Sequence, residues 1–300
     1  MDIRVLKYFL ETARESSMTR AADKLCVSQP TMSKQLKDLE KELGVKLFTR
    51  SNYSIKLTEA GMILKDRAED IVSLVDKTLN EFKTLEDFTS GDIYVGAAES
   101  DAVKFFAEAV KDLQEKFPKI CCNIYSGNRE DVCEKLDKGL LDFAIILNFV
   151  DVTKYNYLKV PAYDIWGILM RKNDPLAKKK ELKPNDLIKL PLITSRQWLN
   201  QDFTQWFGAN SKKINVVATY NLAFNASIMV KAGMGYALTL DKIIDTSKSS
   251  ELTFRPLKNT PKAEMFIIWR KHQTFSHVAK LLFDELSKRF SRNYGTGRRA

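Results

Sequence analysis

Residues 16–44 read SSMTRAADKLCVSQPTMSKQLKDLEKELG, and their pattern is that of two short helices joined by a tight turn. Ala21 and Ala22 are small, as they must be where a crossing helix comes close. Leu25 and Val27 bracket the turn and are expected as buried anchors. Ser28 can cap the following helix by offering its hydroxyl to the unpaired N–H groups of the first turn. Pro30 falls in that first turn, where it costs no internal hydrogen bond. Met32, Leu36, Leu39 and Leu43 then recur at spacings of 4, 3 and 4, one apolar stripe along a helix. The other face carries Gln29, Thr31, Ser33, Lys34 and Lys37, short hydrogen-bonding groups and cations near the N-terminal end. A helix-turn-helix has this form, and its second helix reads base edges in the major groove.

Working outward, Ile3, Leu6, Phe9, Leu10 and Ala13 put one apolar face on a preceding helix. After Gly44, Val45, Leu47 and Phe48 predict a core-anchored strand, residues 50–54 a polar turn, and Ile55 and Leu57 a return strand. A hairpin in this place is a wing, whose tip runs along the neighbouring backbone, so Arg50 and Ser51 join the DNA-contacting set with Gln29, Pro30, Thr31, Ser33, Lys34 and Lys37. A long helix follows over residues 59–88. Leu64, Ala68, Ile71, Val75, Thr78, Phe82 and Leu85 alternate at 4 and 3, a heptad seam broken only by Thr78. Such a seam wants a second copy of the chain, so Leu64, Ala68, Ile71, Val75, Phe82 and Leu85 are expected at a dimer interface; the competing reading docks the helix on its own domain.

From Ile93 the texture becomes strands alternating with helices, which predicts parallel sheets with crossover helices. A second such unit begins near Asp164 and closes with a strand AEMFIIWR and a helix from His277 to Phe290. Residues 291–300 lack an apolar pattern and are expected to be disordered.

Length and composition agree with two or three domains. The chain has 300 residues, 44% hydrophobic and 29% charged, and a formal net charge of +10. Residues 1–56 hold 11 Lys and Arg against 7 Asp and Glu, as suits DNA contact, and residues 57–90 hold 4 against 8. The basic C-terminal remainder reads as a solvated surface rather than a binding feature. No signal peptide or membrane-length apolar run occurs, which predicts a cytoplasmic protein. Four cysteines, at 26, 121, 122 and 133, lack metal-ligand spacing and read as reduced and partly buried. Cys121 and Cys122 point to opposite faces of one strand, so only a Cys122–Cys133 bridge is conceivable. No Gly-rich phosphate loop, nucleophile elbow or His–carboxylate set appears, so neither an enzyme nor a cofactor is expected.

The run AADKLCVSQPTMSKQLKDLEKELGVKLFTR…LTEAG resembles the LysR-type transcriptional regulators almost position by position, and the layout of the rest follows that family. Departures are Ser16 where a small Gly is common, Lys34 for a recognition-helix Arg, and the region of Tyr53 for a second wing Arg. Lysine keeps the charge but loses the bidentate fork. The resemblance implies an α/β chain: an all-α winged helix-turn-helix over residues 1–58, a linker helix for dimerisation over 59–88, and an effector-binding domain over 91–290. That domain would have two lobes like a periplasmic binding protein, the first at about 91–161 plus 266–290 and the second at about 162–265. The implied partners are promoter DNA, a small effector between the lobes, a second or fourth copy of the chain, and RNA polymerase if the protein activates. Mapped residue by residue, the effector would meet Ser100, Asn128, Thr194, Ser195 and Asn221. Helix-start N–H groups beside hydroxyl and amide side chains suit an anion or carboxylate. A protein of another class, an architectural DNA binder without ligand, is the alternative.

Overall fold

The computed structural model describes residues 1–50, 55–83, 89–148, 150–195 and 206–291. The chain forms two compact units, Met1–Lys83 and Thr84–Ala300.

In the first unit, helices α1 (Ile3–Glu15), α2 (Met18–Lys24) and α3 (Gln29–Leu43) close around Leu6, Phe9, Ala21, Ala22, Met32, Leu36 and Leu39, all buried. Ala21 and Ala22 let α2 approach its neighbours closely. Leu25 and Val27 are only half-buried, packing at the rim of this core rather than within it. The apolar stripe of α3 also ends early. Leu43 is exposed because the last turn of the helix overhangs the core, and Val45 beyond it is exposed too. Strands β1 (Phe48–Arg50) and β2 (Ile55–Leu57) pair antiparallel, Phe48 opposite Leu57, so the strand starts later than Val45 suggested.

Helix α4 (Glu59–Lys83) begins with Thr58, whose hydroxyl accepts from Gly61 N–H at 3.0 Å and donates to the Lys46 carbonyl at 2.6 Å. Its expected seam divides in two. Ala68 is fully buried in the unit's own core, with Leu64 and Ile71 packed against it. These three therefore serve the chain's own domain, the competing reading, because they face α1. Val75 is half-buried and Phe82 is 68% exposed, with Leu74 and Leu79 also exposed. Leu85 lies outside the described residues.

The second unit holds two five-stranded sheets. The first has the order β4-β3-β5-β12-β6, built from β3 (Ser90–Ala97), β4 (Lys119–Ser126), β5 (Phe143–Leu147), β6 (Tyr155–Asp164) and β12 (Ala263–Arg270). Helix α5 (Val103–Lys116) and the last helix, α9 (His277–Ser291), cover one face; α6 (Arg129–Asp137) covers the other. The second sheet has the order β11-β7-β10-β8-β9, from β7 (Trp166–Arg171), β8 (Pro191–Ser195), β9 (Asn215–Tyr220), β10 (Tyr236–Leu240) and β11 (Leu252–Pro256). A short turn of helix, α7 (Pro184–Leu187), and the longer α8 (Ala223–Ala232) pack against it.

Both sheets are mixed, not purely parallel. Strands β3, β4 and β5 run parallel, while β12 pairs antiparallel with β5 and β6. The antiparallel strands are those by which the chain crosses between lobes. The first crossing comes between Asp164 and Trp166 and the return before Ala263, so the first lobe runs on to Asp164 instead of ending near 161 and takes all of β12. Cys121 and Cys122 do alternate, one exposed and one half-buried; Cys133 is half-buried and Cys26 exposed, and all four are free thiols. Burial pushes the Cys122 thiol up to about 11. Among the described residues no helix is long and apolar enough to cross a membrane.

Candidate functional site

Two surfaces, one in each unit, bring the expected site residues together. On α3, Ser28 caps the helix, accepting from the Thr31 N–H, with its hydroxyl 2.7 Å from that of Thr31. Pro30 occupies the first turn and Gly44, at φ +69°, closes the last. Pro30, Thr31, Lys34 and Lys37 are exposed; Gln29 and Ser33 are half-buried. Neither Lys34 nor Lys37 meets an acidic partner among the described residues, and an ammonium left unpaired on a capped helix is available to a polyanion. Arg50 contributes a backbone pair opposite Ile55. Its side chain and Ser51 lie outside the described residues.

A residue the sequence did not single out fixes this surface from behind. The Glu40 carboxylate, 8% exposed, accepts from the N–H groups of Leu47 and Phe48 at 2.9 and 3.3 Å and from Lys46 Nζ at 2.8 Å. Burial opposes its charge, but Lys46 and the two N–H groups outweigh that and hold the carboxyl below its usual range. Recognition helix and wing are thereby tied together. The signal was a Glu among the apolar positions of α3, visible but lost in a helix rich in charge.

In the second unit a cavity of about 390 Å³ opens between the two sheets, lined from both lobes. Asn128, Ser195 and Asn221 line it as expected. Asn128 accepts from the Asp131 N–H at 2.9 Å and so caps α6. Two other expected residues do not reach it. Thr194 is fully buried, because strand alternation sends it and Ser195 to opposite faces. Ser100 Oγ donates to the Asp164 carboxylate and accepts from the Ala102 N–H at 3.0 Å. It thus ties the end of β3 to the crossover strand and faces a neighbouring cavity of about 310 Å³.

Glu99 stands where an anion was expected. Its carboxylate, from the first lobe, accepts from the N–H of Ala223, the first residue of α8 in the second lobe. No side chain of α8 caps that end, so Glu99 supplies the missing acceptor. Burial raises the Glu99 carboxyl above its usual range, and the Ala223 N–H partly offsets this. Asp131, Trp166 and Tyr220 also line the cavity. Trp166 escaped notice because it is the first residue of β7, directly after the lobe crossing; Glu99 was legible only as the carboxylate directly preceding Ser100.

Comparisons with known proteins match both units. Residues 3–62 match the family model described as "Bacterial regulatory helix-turn-helix protein, lysR family", and residues 86–291 match "LysR substrate binding domain". The HTH-type transcriptional regulator YtlI of Bacillus subtilis is 27% identical over 303 residues, covering 97% of this chain and 94% of its own. Among solved structures, CbnR, a LysR family transcriptional regulator, superposes with a TM-score of 0.74 at 18% identity, covering 97% of this chain and 99% of its own. CbnR complexed with its target DNA gives 0.73 at 18% identity, covering 96% and 99%. At such identity the likeness concerns the fold. The two family models, which between them span the helix-turn-helix and the two-lobed domain, establish that this chain belongs to the LysR family of bacterial transcriptional regulators.

Proposed function

We propose that the protein is a sequence-specific, ligand-responsive regulator, working on DNA in the cytoplasm, that docks α3 in a major groove. Gln29, Pro30, Thr31, Ser33, Lys34 and Lys37 would meet bases and phosphates, and Arg50 and Ser51 on the wing would meet the adjoining backbone. The observation that carries this reading is the capped, exposed N-terminal half of α3 with two lysines lacking acidic partners among the described residues. The likeness to CbnR bound to its target DNA supports it.

Two copies would join through the C-terminal half of α4, where Val75 and Phe82 continue into the exposed Leu74 and Leu79. Paired recognition helices then engage two half-sites, as a dimer or a dimer of dimers. The effector would lie in the interlobe cavity against Asn128, Ser195 and Asn221. It would bias the lobes only by the difference in its affinity for their two arrangements. RNA polymerase joins the partners if regulation is positive.

Fluorescence anisotropy on the DNA upstream of the protein's own gene, against a scrambled competitor, tests the reading. Binding that survives the competitor is expected. Equal binding to both DNAs would make the protein an architectural binder.

A further inference from the structure

The charge inside the cavity runs against that of the chain. The protein carries a formal +10, yet the charged residues among the described lining are two carboxylates, Glu99 and Asp131, with no Lys or Arg. The cavity, at about 390 Å³, is of small-molecule size. The N–H that would receive an anion, at the start of α8, is already taken by Glu99. A carboxylate ligand entering here would meet two like charges in a half-buried space, with one carboxylate already seated at that helix end. The remaining groups point the other way. One Glu99 oxygen and the Asp131 carboxylate accept no protein hydrogen bond among the described residues, and Trp166 adds an aromatic ring of the type that attracts organic cations.

We propose that this cavity takes a small molecule bearing a protonated amine or guanidinium, paired with the carboxylates of Glu99 and Asp131 beside the ring of Trp166. The proposal rests on reading the interlobe cavity as the effector site, and it names the class of ligand. Asn128 and Asn221, with amide groups at the same cavity, orient the uncharged part of the molecule. Because Glu99 and Asp131 belong to the first lobe and Trp166 to the second, a cation seated among them contacts both lobes at once.

Titration calorimetry of the full-length protein with putrescine, agmatine and succinate, all small and flexible, separates the possibilities. Putrescine or agmatine is expected to bind, and Glu99→Gln and Asp131→Asn each to weaken it at least about tenfold, the loss of one charge-assisted contact. Glu99→Gln keeps an acceptor for the Ala223 N–H, so the fold is preserved; an unchanged thermal midpoint and far-UV circular dichroism of the variants check this. Asn221→Trp, at an exposed lining position, blocks the cavity and is expected to abolish binding. Succinate binding that Asn221→Trp abolishes would overturn the cationic class while leaving the effector site in place. Amine binding that survives Asn221→Trp would overturn the site itself. No binding of either amine at millimolar concentration would overturn the proposal.

Discussion

Glu40 occupies the inner side of the recognition helix and gathers the first strand of the wing through two backbone N–H groups. Replacing it with Gln removes the charge and one acceptor oxygen, at a cost of about 1–3 kcal/mol to the N-terminal unit. Its folded carboxyl lies below its ordinary value of 4.5, so the folded state binds fewer protons than the unfolded one at acid pH. Its stabilising contribution is therefore complete above that ordinary value and disappears as pH falls through the lowered one. Amide hydrogen exchange at Leu47 and Phe48 should accelerate in Glu40→Gln, and the acid-induced acceleration of the wild type should flatten in the variant. Gly61 makes a second test at this scale. A Cβ there would lie 2.2 Å from the Leu47 carbonyl oxygen, so α4 can meet the wing only through glycine. Gly61→Ala should cost about 1–3 kcal/mol, read as a lower thermal midpoint. Individual residues in the cleft were only partly legible in the sequence. Ser195 and Thr194 look alike as neighbours after an apolar run, and only the strand's pleat tells the one that faces the cavity from the one that is buried.

At the scale of elements, α4 carries two tasks along one length. Its N-terminal half completes the helix-turn-helix core through Leu64, Ala68 and Ile71, and its C-terminal half exposes Leu74, Leu79 and Phe82. Thr78, the polar break in the heptad pattern, is tolerated because its hydroxyl donates to the Leu74 carbonyl at 2.8 Å, within the helix. Leu79→Glu or Phe82→Glu should therefore give monomers in sedimentation velocity with the helix-turn-helix intact. Ile71→Ala should instead keep the oligomer and lower the stability of the N-terminal unit by about 1–2 kcal/mol, the half-buried share of a large-to-small loss. The heptad spacing alone could not divide the helix in this way, because both partners ask for the same apolar period. Helices α1 to α3 were readable since apolar period and N-terminal cap agree in them, and in α3 the closing Gly44 as well. Strand β6 was not, since it is an edge strand with exposed Tyr157 and Tyr163 and with Pro161 inside it, a pattern that resembles a loop. Strand β11 is short and carries Arg255 and Pro256 at its end, and it too lacked a signal.

At the scale of the whole molecule, a helix-turn-helix unit is followed by a two-lobed unit whose cavity is bridged by Glu99. Under the proposed reading, a ligand that drew Glu99 from the α8 N-terminus would loosen the lobes, and one that paired with its remaining oxygen would tighten them. The family layout was legible along the full chain; the acidic character of the cavity was not, because it arises only when the end of β3 and the start of α6 face α8 across the lobes. The central claim, that α3 is the DNA-reading element, is tested most directly by the salt dependence of operator binding in Lys34→Ala, Lys37→Ala and the double variant. If both lysines neutralise phosphates, each single variant reduces the slope of log affinity against log salt by about one unit and the double by about two. Slopes equal to that of the unaltered protein in all three would contradict the account and move the DNA-binding surface away from α3.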